Sequence, residues 1–298
     1  MDYTNIQDQQ LKELCKERKI TGTRGKTRAE LIALLEAYVP KNTSPLRYPG
    51  GKSRAIQILD RYVQTYYPNR SILLSPFFGG GSFELYVQAK RLQIRANDLF
   101  LPLYTFWKIL QVRPAELKAQ VKARMPITKE AFHQIRTTIQ TLTDPMEIAV
   151  SYYIINRCSF SGATFCGGFS QEASTKRLND SCMENLTNVR LTNITFSNLD
   201  CCAFLHQHPE QDDTFVYADP PYYITNYIYG KDGDMHAEFD HKAFAEAIRS
   251  RKDWIVSYND CPYIRNLYAG CRFFTETWSY GMNTSKKSSE IVILPPSN

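Results

Sequence analysis

The chain has 298 residues, enough for one large domain or two smaller ones, and 43% of them are hydrophobic, which suffices for a sizeable core. No apolar run of about 18 residues occurs and Met1-Asp2-Tyr3-Thr4-Asn5 lacks the basic and apolar regions of a signal peptide, so neither a membrane span nor export is expected. The net charge of +6 is compatible with a polyanionic partner, and eight cysteines without a Cys-x-x-Cys pair point to reduced packing residues rather than a metal cluster.

Residues 8–38 read as a small helical hairpin. Leu11, Leu14 and Cys15 make one apolar stripe, and Gly22 and Gly25 break it. A second helix opens at Thr27 with Glu30 three residues on, the capping-box spacing, and buries Leu31, Leu34, Leu35 and Tyr38. Arg18, Lys19, Arg24, Lys26 and Arg28 crowd the turn. The stretches Leu11 to Arg18 and Arg24 to Ile32 resemble a SAP module, a two-helix DNA-binding motif; a plain helical hairpin with a basic solvated face fits the same residues. The expected organisation is this module over 1–40, a linker over 41–45, and a main domain over 46–298.

Leu46-Arg47-Tyr48-Pro49-Gly50-Gly51-Lys52-Ser53 is not a P-loop, because Leu46 stands where the first glycine belongs. The buried strand Ser71 to Leu74 runs into Ser75-Pro76-Phe77-Phe78-Gly79-Gly80-Gly81-Ser82, and a helix follows through Leu85, Tyr86 and Ala89. A strand, a glycine turn and a helix make a nucleoside-binding start, although Glu84 replaces the third glycine of the dinucleotide pattern. The next strand, Gln93 to Ala96, ends at Asn97-Asp98, which places an acid where ribose hydroxyls would lie.

From Leu101 to about Asn193 the α/β rhythm stops. Leu101 to Leu142 reads as helical and basic, and Ala149 to Ile155 as an apolar helix or strand. It leads to Asn156-Arg157-Cys158-Ser159-Phe160-Ser161-Gly162. A glycine-rich loop carrying Asn156, Arg157, Ser159 and Phe160 beside basic helices suits contacts with DNA grooves and backbone.

Strands resume at Ile194 to Leu199 and at Thr214 to Asp219. Further strands are read at Trp254 to Tyr258 and, as a closing hairpin around Gly281 to Ser288, at Glu276 to Tyr280 and Ile291 to Leu294. Two prolines end the strand that carries Asp219, so this acid sits at a strand's carboxyl end, where open α/β sheets hold ligands. Asp219 and the carbonyl of Pro220 can accept the two N–H groups of an exocyclic amine, and Tyr222 can stack on the base that carries it.

Arg47 to Lys52, Pro76 to Ser82 and Asp219-Pro220-Pro221-Tyr222, in this order, resemble the Dam-type DNA adenine methyltransferases, the alpha group of amino methyltransferases. Asn156-Arg157, Phe160, Gly162 and Glu290 extend the resemblance over roughly 46–294. It implies an α/β fold with a Rossmann-like seven-stranded sheet, a helical DNA-recognition insert at 101–193, S-adenosylmethionine as methyl donor, and the 6-amino group of an adenine flipped from double-stranded DNA as acceptor. By position, Tyr48, Lys52, Phe77, Gly79, Gly81, Asp98 and Asp219 would line the donor site. Asp219, Pro220 and Tyr222 would hold the adenine. Arg24 and Lys26 would add DNA contacts, no metal is required, a restriction endonuclease would be a partner, and a monomer is expected, in the cytoplasm in a bacterial or phage context or in the nucleus or virus factory if of viral origin.

Two departures stand out. Ser75 occupies a position where the family usually has an acid, so Ser75→Asp is expected to tighten donor binding. The loop after Asn156-Arg157 lacks the Gly-Leu-x-Arg continuation of GATC-specific members. Methyltransferases of RNA or protein glutamine, and a DNA-binding protein without catalysis, are the rival readings.

Overall fold

A computed structural model describes residues 3, 6–17, 20–36, 42–48, 50–90, 92–223, 239–279 and 287–297. Expectations for Arg18, Lys19, Tyr38, Pro40, Pro49 and most of the Gly281 to Ser288 loop fall outside these residues. The chain divides into two compact units, Met1–Asn42 and Thr43–Asn298.

In the first unit, helices α1 (Asp8–Glu17) and α2 (Arg28–Glu36) enclose Tyr3, Leu11, Cys15, Leu31 and Leu35. The Thr27–Glu30 capping box forms. The Thr27 amide donates to Glu30 Oε2 at 2.8 Å, and the Glu30 amide donates to Thr27 Oγ1 at 3.3 Å.

The second unit is built on a seven-stranded sheet. Its strands are β1 (Ile72–Ser75), β2 (Gln93–Asn97), β3 (Ile194–Ser197), β4 (Thr214–Ala218), β5 (Trp254–Asn259), β6 (Arg272–Ser279) and β7 (Lys287–Leu294), in the order β3-β2-β1-β4-β5-β7-β6. The first five are parallel, and β7 runs antiparallel between β5 and β6. The seven-stranded α/β expectation is therefore met. The closing hairpin is longer than the sequence suggested, because β6 already pairs at Arg272, opposite Leu294.

Parallel strands must be covered on both faces, and their sequences show it. Along β4, Phe215 and Tyr217 join one core with Leu73 and Ile94, while Val216 and Ala218 join the other with Leu74 and Val256. Each large apolar side chain so buried contributes about 1.5–3 kcal/mol. The chain leaves β1 for β2 on one side and later returns to β4 on the other. A crevice therefore opens at the carboxyl ends of β1 and β4, the switch point where such sheets bind ligands.

Helix α3 (Ile56–Tyr66) precedes β1 and α4 (Ser82–Ala89) joins β1 to β2; between β2 and β3 the α-helices are α5 (Leu101–Val112), α6 (Pro114–Ala123), α7 (Lys129–Thr138), α8 (Pro145–Cys158), α9 (Gln171–Lys176) and α10 (Asp180–Asn188). The ambiguous run Ala149 to Ile155 is the centre of α8. Asp144 caps that helix by accepting the Glu147 amide at 2.8 Å, and almost every side is buried. Much of the basic face expected here is neutralised. Arg113 pairs with Glu116, Lys118 with Glu184, and Arg124 with Glu147. No described helix is long and apolar enough to cross a membrane.

Candidate active site

A cavity of about 630 Å³ opens at the carboxyl ends of β1, β2 and β4. Tyr48, Lys52, Phe77, Gly79, Gly81, Asp98, Asp219, Pro220 and Tyr222 all line it, so the donor-site and acceptor-site residues named from the sequence share one chamber. Glu84, Asp200, Cys201 and Phe239 line it too.

The glycine turn is shaped by its own neighbours. Gly81 has φ +65° and begins helix α4 (Ser82–Ala89); a Cβ there would meet the Phe78 ring at 2.6 Å. At Gly80 a Cβ would lie 2.6 Å from Tyr48 Cβ. Glycine thus lets Tyr48 and Phe78 close over the backbone. The amide of Gly79 donates to Asp98 Oδ2 at 2.9 Å, and that of Phe100 to Asp98 Oδ1 at 3.0 Å. Burial nevertheless pushes the Asp98 carboxyl up to about 6, against both hydrogen bonds. Two amides leave lone pairs of this carboxyl for further donors.

Asp219 follows β4 directly. Its Oδ1 accepts Ser257 Oγ at 2.8 Å, and its Oδ2 accepts Lys52 Nζ at 2.7 Å. Lys52 is 5% exposed, donates also to the Gly50 carbonyl at 3.1 Å, and stands 3.9 Å from Glu290 Oε2. Tyr222 donates its hydroxyl to Glu290, and the Lys52 ammonium lies 5.0 Å from the Tyr222 ring centroid. Sequence reasoning assigned Lys52 to the donor; the structure ties its ammonium to Asp219. Ser257 it missed, and the only available signal was a serine inside the apolar and aromatic run Trp254 to Tyr258 of β5.

The residues expected to contact DNA separate into two kinds. Phe160 is 67% exposed, next to Ser161 with φ 62°, on a loop closed by the Phe160 amide to the Gly168 carbonyl at 2.8 Å. Arg136 braces that loop through the carbonyls of Phe165 and Gly167. Asn156 and Ser159, by contrast, are fully buried, which corrects their expected contact with DNA. Asn156 Oδ1 accepts the Arg47 amide at 2.9 Å and its Nδ2 donates to the Arg47 carbonyl at 2.6 Å. Ser159 Oγ accepts the Thr164 amide at 3.1 Å. Arg157 donates to the carbonyls of Pro45 and Arg177 and so also fixes backbone. Asn156→Ala is expected to cost about 1–3 kcal/mol, because it leaves the partly buried amide and carbonyl of Arg47 without their partner; chemical denaturation measures it. In the first unit, Arg24 and Lys26 are exposed, and Lys26 pairs with Glu30.

Asp200, Cys201 and Cys202 bring three ligand atoms within 4.8 Å of one another. Asp200 is already occupied in capping helix α11 (Cys201–Gln207), accepting the Cys202 amide at 2.8 Å. Burial pushes both thiols up, away from the thiolate a metal would take.

The family described as D12 class N6 adenine-specific DNA methyltransferase matches residues 48–282. Proteins named DNA adenine methylase from Salmonella typhi and Salmonella typhimurium are 29% identical to the chain over 125 residues, which is 41% of this chain and 43% of theirs. Modification methylase StsI of Streptococcus sanguinis is 24% identical over 206 residues, 64% of this chain and 30% of that protein. The chain thus spans less than half the length of these relatives.

Proposed function

The chain belongs to the D12 class of N6 adenine-specific DNA methyltransferases, and on that footing we propose that it transfers a methyl group from S-adenosylmethionine to the 6-amino group of adenine in double-stranded DNA. The observation that carries the proposal is Asp219, held by Lys52 and Ser257 at the mouth of the β1–β4 crevice.

The residues present suit the donor. The cavity falls within the roughly 300–1,000 Å³ range of small-molecule sites. It offers carboxyl groups to a molecule that carries an ammonium and ribose hydroxyls, and the rings of Phe77, Phe78 and Phe239 to its base. Tyr48, Phe77, the turn Gly79 to Gly81 and Asp98 would hold it. When bound, it supplies an electrophilic methyl group. Lys52 we assign to positioning Asp219.

The adenine amine is a weak nucleophile because its lone pair is delocalised into the ring. Asp219 and the Pro220 carbonyl each accept one of its N–H groups, and so localise that lone pair for attack. Tyr222, fixed through its hydroxyl to Glu290, presents a ring for the base. Catalysis then rests on positioning and on charge acceptance, with no covalent enzyme intermediate. Extruding the base costs a few kcal/mol, which contacts to the flanking duplex offset. We assign such contacts to the exposed Phe160 of the insert and, as salt-dependent phosphate binding, to Arg24 of the first unit.

Family membership favours DNA over RNA or a protein side chain as acceptor. The name of the Streptococcus sanguinis relative adds the proposal that a restriction endonuclease shares the recognition sequence. The test offers labelled donor with duplex DNA, RNA and protein together. Label is expected in DNA alone, and label confined to RNA or protein contradicts the assignment.

A further inference from the structure

Glu84 is a buried acid that the proposed transfer leaves without a task. It lies in the first turn of α4, is 3% exposed, and lines the same cavity as Asp98 and Asp219. Its Oε1 accepts the hydroxyl of Ser75, the fully buried last residue of β1, at 2.8 Å. None of the ion pairs among the described residues includes Glu84. Lys52, the cation that acts on it, donates instead to Asp219 and to the Gly50 carbonyl.

Two oddities of the sequence become one arrangement here. Ser75 stands at the strand end where an acid was expected, and Glu84 stands where a glycine was expected. The fold puts the two side chains in hydrogen-bond contact across the turn. A buried carboxyl that lines a ligand chamber, with no cation paired to it among the described residues, is built to receive a cation from outside. The donor carries two positive centres. Its sulfonium has no hydrogen to donate, whereas its ammonium has three.

We propose that Glu84 is the anchor for the ammonium of the donor's methionine moiety, and that Ser75 orients it. This rests on the donor reading above. The electrostatics agree with it. Burial pushes the Glu84 carboxyl up to about 7, and Asp219 adds to the rise, against the Ser75 hydrogen bond and Lys52. Tyr217, which feels Asp219, Glu84 and Glu290, is a further titratable group of this cluster. Binding an ammonium therefore releases the proton of the neutral carboxyl to the buffer, and donor affinity rises with pH up to about 7 and then levels off. The expected benefit of Ser75→Asp then disappears. A second carboxyl against Glu84 makes the pair retain a proton and brings no gain.

The test is calorimetric. S-adenosylhomocysteine keeps the ammonium but has no sulfonium charge and no methyl to transfer; methylthioadenosine lacks the amino-acid part. At pH 8, Glu84→Gln is expected to weaken S-adenosylhomocysteine by roughly 30-fold or more, as for loss of one partner of a buried charge pair, and methylthioadenosine by less than about twofold. The reciprocal exchange, Ser75→Asp with Glu84→Gln, restores much of the loss. At pH 6.5, wild-type binding of S-adenosylhomocysteine in phosphate and Tris buffers shows release of a fraction of a proton, a measurement that needs no variant. Equal weakening of both ligands, unchanged affinity, or binding heat free of proton release would overturn the proposal. Wild-type protein that binds neither ligand would instead overturn the donor reading itself.

Discussion

Asp219→Asn is expected to lower methyl transfer to DNA by about 10²–10³-fold or more while leaving donor binding and DNA retention within a few-fold of wild type. Asparagine has the same shape, and its amide can satisfy the local partners. With its oxygen turned to Lys52, its nitrogen faces Ser257 Oγ, which can accept. What is lost is the charge on the acceptor that draws the amine's N–H groups. Single-turnover transfer, measured beside separate donor and DNA binding, separates this loss from one of affinity. Alanine would be the poorer probe, because it leaves the buried ammonium of Lys52 facing an empty volume.

Lys52→Met should affect the fold as well as the reaction. Lys52 is the cation between Asp219 at 2.7 Å and the nearly inaccessible Glu290 at 3.9 Å, and its ammonium sits over the Tyr222 ring. Removing it leaves two carboxylates together in a poorly solvated place. Breaking a buried pair from one side costs about 3–5 kcal/mol, and transfer should fall with it, since both Asp219 and Tyr222 lose their reference point. Urea denaturation measures the stability loss. Combined with Asp219→Asn, the loss should be clearly smaller than the sum of the two, because the second change removes one of the stranded charges.

The strand ends were legible in the sequence for a local reason. Apolar β-formers stop at Ser75, Asn97 and Ala218, each followed by proline or an acid, and a parallel sheet puts all such ends on one edge. Asp98, Asp219 and the glycine turn are therefore expected on one edge of the sheet from the sequence alone. Partnership across the chain could not. Lys52 meets Asp219 over 167 positions, and Ser257 meets it over 38. No periodicity encodes either meeting. Asn156 reads as an exposed recognition residue because it follows an apolar run. That run is a helix buried on almost every side, and its last turn is clamped to Arg47. Glu84 looked like a defect in a glycine pattern, and only the hydrogen bond to Ser75 gives it a purpose.

The sign of the Glu84 effect on stability follows from the same burial. Its carboxyl is held at about 7 in the fold against an ordinary 4.5, so its contribution is full below 4.5 and is lost as pH rises through about 7. Glu84→Gln should flatten that decline, and above pH 7 the variant should be at least as stable as wild type.

The central claim is that a carboxylate at the β1–β4 crevice presents the amine of an extruded adenine to the donor. Nucleoside mass spectrometry of mixed-sequence duplex DNA, after incubation with S-adenosylmethionine and either wild type or Asp219→Asn, addresses it most directly. Wild type should yield N6-methyl-2′-deoxyadenosine as the sole new nucleoside, and the variant almost none. Methylation on a cytosine, no methylated nucleoside from wild type, or an equal yield from both proteins would contradict it.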